Sequence, residues 1–156
     1  MKVALLACVV LVFVILNWIT WLQDIEAKIC KGASACFSGK VTKVVDGDTI
    51  DVNGTRIRLS LVNTPEPDQV NFTESRNLAM RLCPVGSMAL VDQDDGQKAG
   101  SYGRMVGEVY CKYNPTNLNA TSLNEEMFKS GYAEILTNFC TKSEFAHEKW
   151  VEGHGC

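Results

Sequence analysis

The chain has 156 residues, with 15 Lys and Arg against 18 Asp and Glu, for a formal net charge of −3. That length holds one domain and little more. The acidic balance argues against a protein held to nucleic acid by bulk charge, since phosphate contacts need clustered Lys and Arg. Any such site must be local, and acids within it would need a cation to tolerate phosphate.

The first element is apolar. Val3 to Leu22, "VALLACVVLVFVILNWITWL", carries no charged residue. At a helical rise of 1.5 Å per residue it would span roughly 30 Å, about the hydrocarbon thickness of a bilayer. Trp18 and Trp21 stand near its end, where amphipathic rings favour the interface. Residues 1–23 are therefore expected to be a transmembrane anchor. The alternative is a signal segment removed after export, for which Ala33-Ser34-Ala35 is the available small-residue site, well past the apolar run. Residues 24–37 read as a polar juxtamembrane linker, and residues 38–156 as the folded domain.

Six cysteines follow the apolar run, at 30, 36, 83, 111, 140 and 156, while Cys8 lies inside it as a small hydrophobe. That density suits disulfides and an oxidising compartment. The expected location is membrane-anchored with the domain extracytoplasmic, or secreted if the segment is cleaved. A structural zinc site is disfavoured, because there is no Cys-x-x-Cys and only two histidines, His147 and His154. Asn53-Gly-Thr, Asn71-Phe-Thr and Asn119-Ala-Thr are glycosylation sequons that fit the same compartment.

From Ser38 the pattern is strand-like. "GKVTKVV" is rich in β-branched residues and leads through Asp46-Gly47-Asp48 into "TIDV". Asn53-Gly54 marks a tight hairpin turn. "TRIRLSLV" returns with Ile57, Leu59 and Leu61 on one face. "TESRNLAMRLC" has helical spacing and ends at Cys83-Pro84. "SMALVD" and "RMVGEVYC" read as two more strands, separated by a loop beginning Asp94-Asp95-Gly96. "SLNEEMFKSG" is a helix capped by Ser122 with Glu125 three residues on, stopping at Gly131. "KSEFAHEKWVEG" is read as a last helix capped by Ser143. The expected fold class is α+β, mostly β: a five-stranded Greek-key barrel of the OB type with three helices.

In that meander the turn holding Asp46 and Asp48 converges with Asn63 and Glu66, just past the third strand. Carboxylate and amide oxygens gathered at one rim suit a hard cation such as Ca²⁺. A cation, the Arg58 guanidinium and a nearby carboxylate supply what phosphodiester hydrolysis needs: an oriented, deprotonated water and neutralised phosphorane charge. Singly, each motif is an ordinary turn or loop opening.

Together the blocks resemble the staphylococcal nuclease (thermonuclease) family. They are Asp46-Gly47-Asp48-Thr49, Arg58-Leu-Ser-Leu-Val62-Asn63-Thr64-Pro65-Glu66, and "DDGQKAGSYGR" from Asp94 to Arg104, and the similarity runs from about Gly39 to Val151. The resemblance implies a calcium-dependent endonuclease acting on DNA and RNA as a monomer, here tethered to a membrane. It implies Asp48 as direct metal ligand with Asp46, Asn63 and Thr64 around the ion. It further implies Glu66 as the residue that orients or deprotonates water, Arg58 and Arg104 as the phosphate clamp, and Tyr102 and Phe139 as substrate contacts. In the resembling fold the places of Cys83 and Cys111 lie near each other in the core, so they are the first expected disulfide. Cys140 and Cys156, which bracket the last helix, are the second. Three departures stand out. Asn63 replaces an acidic ligand, Phe139 is the sole aromatic in "EILTNFC", and the chain is acidic. They keep a second reading open, a degenerate nuclease-like module that binds nucleic acid or protein at the membrane surface.

Overall fold

The computed structural model describes residues 10–19, 29–114 and 120–156. The chain divides into two units, residues 1–30 and Lys31–Cys156. In the first, residues 10–19 are helical with their apolar side chains exposed. Among the described residues no helix is long and apolar enough to cross a membrane. The rest of the expected anchor lies outside the described residues.

In the second unit, β1 (Cys36–Val44) starts two residues before the Ser38 expected from sequence. The preceding residues, read as linker, are pinned to Asp92 and Asp95: the Lys31 amide donates to Asp92 Oδ2 at 2.7 Å, and the Ala33 and Ser34 amides donate to Asp95 at 2.7 and 2.6 Å. Strand β1 serves two neighbours. Its first half pairs antiparallel with β5 (Met88–Gln93), and its second with β2 (Thr49–Val52). The register slips between Val41 and Lys43, and a bulge of this kind lets one long strand turn a barrel corner. Strands β2 and β3 (Thr55–Leu59) form the expected hairpin, with Asn53 at φ 49° and Gly54 at φ 79°.

β6 (Met105–Cys111) pairs antiparallel with β5 and parallel with β3, which closes a five-stranded barrel. Closure leaves no free edge among these five strands. Short pairs complete the sheet work: β4 (Val62–Asn63) with β8 (Glu134–Ile135), and β7 (Thr121–Ser122) with β6.

Helix α1 (Phe72–Leu82) buries Ser75 and Ala79, and α2 (Leu123–Lys129) buries Leu123, Asn124 and Met127. The Ser122 side chain accepts the Glu125 amide, as a cap there should. The third expected helix is only one 3-10 turn, Glu144–His147, with Ser143 capping it. It stops because Glu148 adopts an extended conformation, φ −69°, ψ 143°. The apolar residues of this segment fall in two clumps, Phe145-Ala146 and Trp150-Val151, which two short turns can bury together.

One core joins the barrel interior to both helices and the C-terminal turns. Cys83, just past α1, and Cys111, ending β6, are fully buried and disulfide-bonded to each other. Cys140 is bonded to Cys156. Both expected pairings are present, and Cys30 and Cys36 are disulfide-bonded as well.

Candidate active site

The site grows from the turn between β1 and β2. The Asp48 amide donates to Asp46 Oδ1 at 3.1 Å, a local bond that suits Asp two residues back in a turn. The Asp48 carbonyl accepts the Leu59 amide at 2.8 Å, tying the turn to the end of β3. From α1, Arg76 Nε donates to the Val45 carbonyl at 3.1 Å. A Cβ on Gly47 would lie 2.8 Å from Thr64 Oγ1 and 2.9 Å from Ser75 Oγ. Only glycine lets the turn nest against both the β4 loop and α1.

Asp48 is the hub. Its Oδ2 accepts the Thr64 amide at 2.7 Å and Thr64 Oγ1 at 2.8 Å, and Thr49 Oγ1 donates to Oδ1 at 3.2 Å. Arg58 Nη1 lies 2.7 Å from the same Oδ1, with the Arg58 side chain only 13% exposed. Arg58 Nη1 also donates to the Val62 carbonyl at 2.6 Å, and Nη2 to Asn63 Oδ1 at 3.1 Å. The guanidinium is therefore held at both ends, and charge-assisted bonds of this kind are roughly twice as strong as neutral ones.

Arg104 reaches the same place from the far loop. Its Nη1 donates to Thr49 Oγ1 at 3.5 Å and its Nε to the Ser101 carbonyl at 3.1 Å. Burial lowers the proton affinity of Arg58; Asp48 offsets this, Arg104 lowers it further, and Asp46 and Glu66 raise it. Two guanidinium groups in mutual repulsion suit an anion placed between them. A cavity of about 530 Å³ opens there, walled by Arg58, Arg104, Leu136 and Phe139.

The remaining expected residues fall as follows. Glu66 is exposed on the loop after β4, its charge within electrostatic reach of Arg58. Tyr102 is 98% exposed in the left-handed conformation, φ 61°, with the Arg104 guanidinium 5.8 Å from its ring. Leu61, between β3 and β4, is also left-handed at φ 61°. A bulky side chain in that region is strained, and such strain collects near functional sites.

Three contributors escaped the sequence reading. Thr49 bridges Asp48 and Arg104. Gln69 fastens the Glu66 loop, accepting the Glu66 amide on Oε1 at 2.8 Å and donating its own amide to the Glu66 carbonyl at 2.9 Å. Arg76 braces the Asp46–Asp48 turn. The spacing of Gln69, three residues after Glu66, is the signal that could have found it.

The donor set fits a hard cation in kind. Asp46, Asp48 and the Asn63 amide are all oxygen donors. Asp46 is pushed above the usual carboxylate range by burial and by the repulsion of Asp48, which a cation between them would relieve. The set is thin, however. Asn63 brings no charge, and among the described residues no group of three or more acids, histidines or cysteines is arranged to hold a metal.

A family model described as staphylococcal nuclease homologue matches residues 56–152. The chain is 38% identical over 111 residues to an uncharacterised protein of Bacillus anthracis, covering 65% of this chain and 48% of that one. It is 32% identical over 107 residues to an uncharacterised endonuclease of Escherichia coli O157:H7, covering 66% and 63%. It is 30% identical over 107 residues to a micrococcal nuclease of Shigella flexneri, covering 65% and 59%. The chain thus spans less than two thirds of each of these relatives. The matched residues take in Arg58, Asn63, Glu66 and Arg104, and the chain belongs to the family of staphylococcal nuclease homologues.

Proposed function

We infer that the chain is a calcium-dependent endonuclease that hydrolyses phosphodiester bonds of DNA and RNA. The observation that carries this reading is the pair of guanidinium groups, Arg58 and Arg104, facing one cavity beside Asp48. Family membership and the nuclease names of relatives support it.

In this reading the scissile phosphate sits between Arg58 and Arg104. Both donate to oxygens whose charge grows as water adds, so the stabilisation is largest in the transition state. Glu66 takes a proton from the attacking water while the water oxygen bonds to phosphorus. The bond from phosphorus to the leaving sugar oxygen breaks, and that oxygen is protonated from solvent. Tyr102 and Phe139 contact the nucleotide on either side. Calcium, when bound by Asp46, Asp48, Asn63 and Thr64, would lower the pKa of a water and neutralise phosphate charge. Asp48 also holds Arg58 in place through the 2.7 Å contact.

A second reading is favoured by the thin donor set: a module that binds nucleic acid at the membrane surface without cutting it. Incubating the protein with single-stranded DNA, duplex DNA and RNA, with calcium or with EGTA, separates the two. Cleavage with calcium that EGTA abolishes supports the enzyme; binding without cleavage under every condition supports the module. The apolar run and the six disulfide-bonded cysteines support anchoring to a membrane with the domain outside the cytoplasm.

A further inference from the structure

The walls of the cavity between the arginines hold two more cations. Besides Arg58 and Arg104, Lys98 and Lys142 line it, and among the described residues no acid does. That is unusual placement in a chain of net charge −3. The second cavity at this end, about 330 Å³ beside Asn63 and Thr64, has Glu134 in its wall and no Lys or Arg. The lining charge of the first suits a phosphate and that of the second does not.

The two lysines come from different loops, and the fold binds those loops together. Asp94, fully buried, accepts the Gly96 and Gln97 amides at 3.0 and 3.2 Å on one oxygen. That oxygen also accepts the Glu144 amide at 3.3 Å. The other oxygen takes Ser143 Oγ, and Ser60 Oγ at 2.6 Å. One carboxylate thus staples the loop leading to Lys98 onto the segment containing Lys142 and onto the end of β3. The Lys98 carbonyl is fixed in turn by Gln93 Nε2 at 2.9 Å and by the Val106 amide at 3.4 Å. The Lys142 amide donates to the Phe139 carbonyl at 2.9 Å. The backbone of each lysine is held, while both residues are exposed.

We propose that Lys98 and Lys142 bind a second backbone phosphate, the neighbour of the one held by Arg58 and Arg104. This rests on the nuclease reading of the site and deepens it: the substrate is a polynucleotide gripped by consecutive phosphates on the cation-lined side, with the Glu134 side left loose.

The test is binding of a fluorescein-labelled oligothymidylate octamer to the full chain in EGTA, followed by anisotropy across a salt series. The samples are the wild type, Lys98→Gln with Lys142→Gln, and Lys149→Gln, which lies outside the cavity wall. Each single-strand phosphate contact contributes roughly 0.7 to the slope of log affinity against log salt. The double variant should lose about 0.7 of that slope, while Lys149→Gln keeps it. An unchanged slope in the double variant overturns the proposal, and so does an equal loss in Lys149→Gln. A wild type that does not bind the octamer in EGTA overturns the proposal, while the nuclease reading is decided separately by cleavage of the octamer with calcium. The expected slope loss, in a protein that leaves the octamer uncut with calcium, supports the phosphate site and sinks the nuclease reading alone.

Discussion

At the scale of single residues, Arg58 has two duties. It is bonded to Asp48, Val62 and Asn63, and it faces the cavity with Arg104. A lysine cannot reproduce a guanidinium fork that reaches several acceptors at once. Arg58→Lys and Arg104→Lys should each lower turnover by about 10²–10³-fold, the scale of losing one oxyanion donor. Glu66→Gln should cut turnover strongly by removing the base. Turnover and unfolding free energy measured on the same samples decide the matter. Near-normal turnover in all three, or losses that only track stability, would sink the assignment. Asn63 gives a second expectation. Its amide accepts from Arg58, so Asn63→Asp adds a charge facing both the guanidinium and the proposed ion. Half-saturating calcium should fall, because more anionic ligands bind calcium tighter; an unchanged calcium titration would mean that Asn63 does not face the ion.

Asp92 shows the same scale away from the site. It is fully buried, and among the described residues only one of its oxygens, the one bonded to the Lys31 amide, has a partner. Burial pushes its carboxyl up to about 7; the Lys31 amide opposes this, and Glu144 and Glu108 add to it. The folded form therefore holds a proton that the unfolded chain releases near pH 4. The fold binds more protons than the unfolded chain between those values, so stability should fall as pH rises from about 4 to 7 and then level off. Asp92→Asn should flatten that part of the curve and be the more stable protein at pH 8. Denaturant unfolding at pH 5 and pH 8 measures this, and an unchanged pH dependence in the variant would exclude Asp92 as its source.

Among elements, α2 shows how helix and barrel are joined. Asn124 is fully buried in its first turn, and its side chain accepts the Val109 amide at 3.1 Å. It donates to the Ser60 and Gly107 carbonyls at 3.0 and 3.2 Å. One side chain thereby ties the helix to β6 and to the bend after β3, the bend that delivers Asn63 and Glu66. Asn124→Ala strands two buried backbone groups, the Val109 amide and the Ser60 carbonyl, each costing about 1–3 kcal/mol when unsatisfied, while the Gly107 carbonyl keeps the Ser60 amide at 2.8 Å. A loss of roughly 2–4 kcal/mol is expected after local relaxation, and a loss under 1 kcal/mol by denaturant unfolding would show that water replaces the amide there. The elements differ in how far they were readable. The Asn53-Gly54 turn, α1 and the Ser122 cap carry local signals and formed as expected. The bulge in β1 carries none, since it answers to the sharing of one strand between β2 and β5. The last turn, with Ser143 capping, was legible in part, because its cap is local while its end depends on how Phe145 and Trp150 reach the core.

For the whole molecule, the apolar run from Val3 to Leu22 predicts a tether. In membranes from cells expressing the full chain, the protein should stay in the pellet through alkaline carbonate washing and be released by detergent. Full release by carbonate would exclude a spanning anchor. What the sequence by itself determined was the set of chemical parts: the Asp-Gly-Asp-Thr turn, the Arg58 to Glu66 block, the Tyr102-Gly-Arg104 loop end, and cysteines at the ends of α1 and β6. Those signals are local or fall in ordered blocks, so they survive reading one residue after another. Only the tertiary structure decided which of them meet. Closure of β3 on β6 set the two arginines on one cavity, Thr49 linked Arg104 to Asp48, and the Asp94 staple brought the loops of Lys98 and Lys142 together. Such meetings join residues dozens of positions apart, and their placement depends on barrel closure and buried hydrogen bonds, which have no period or spacing along the chain.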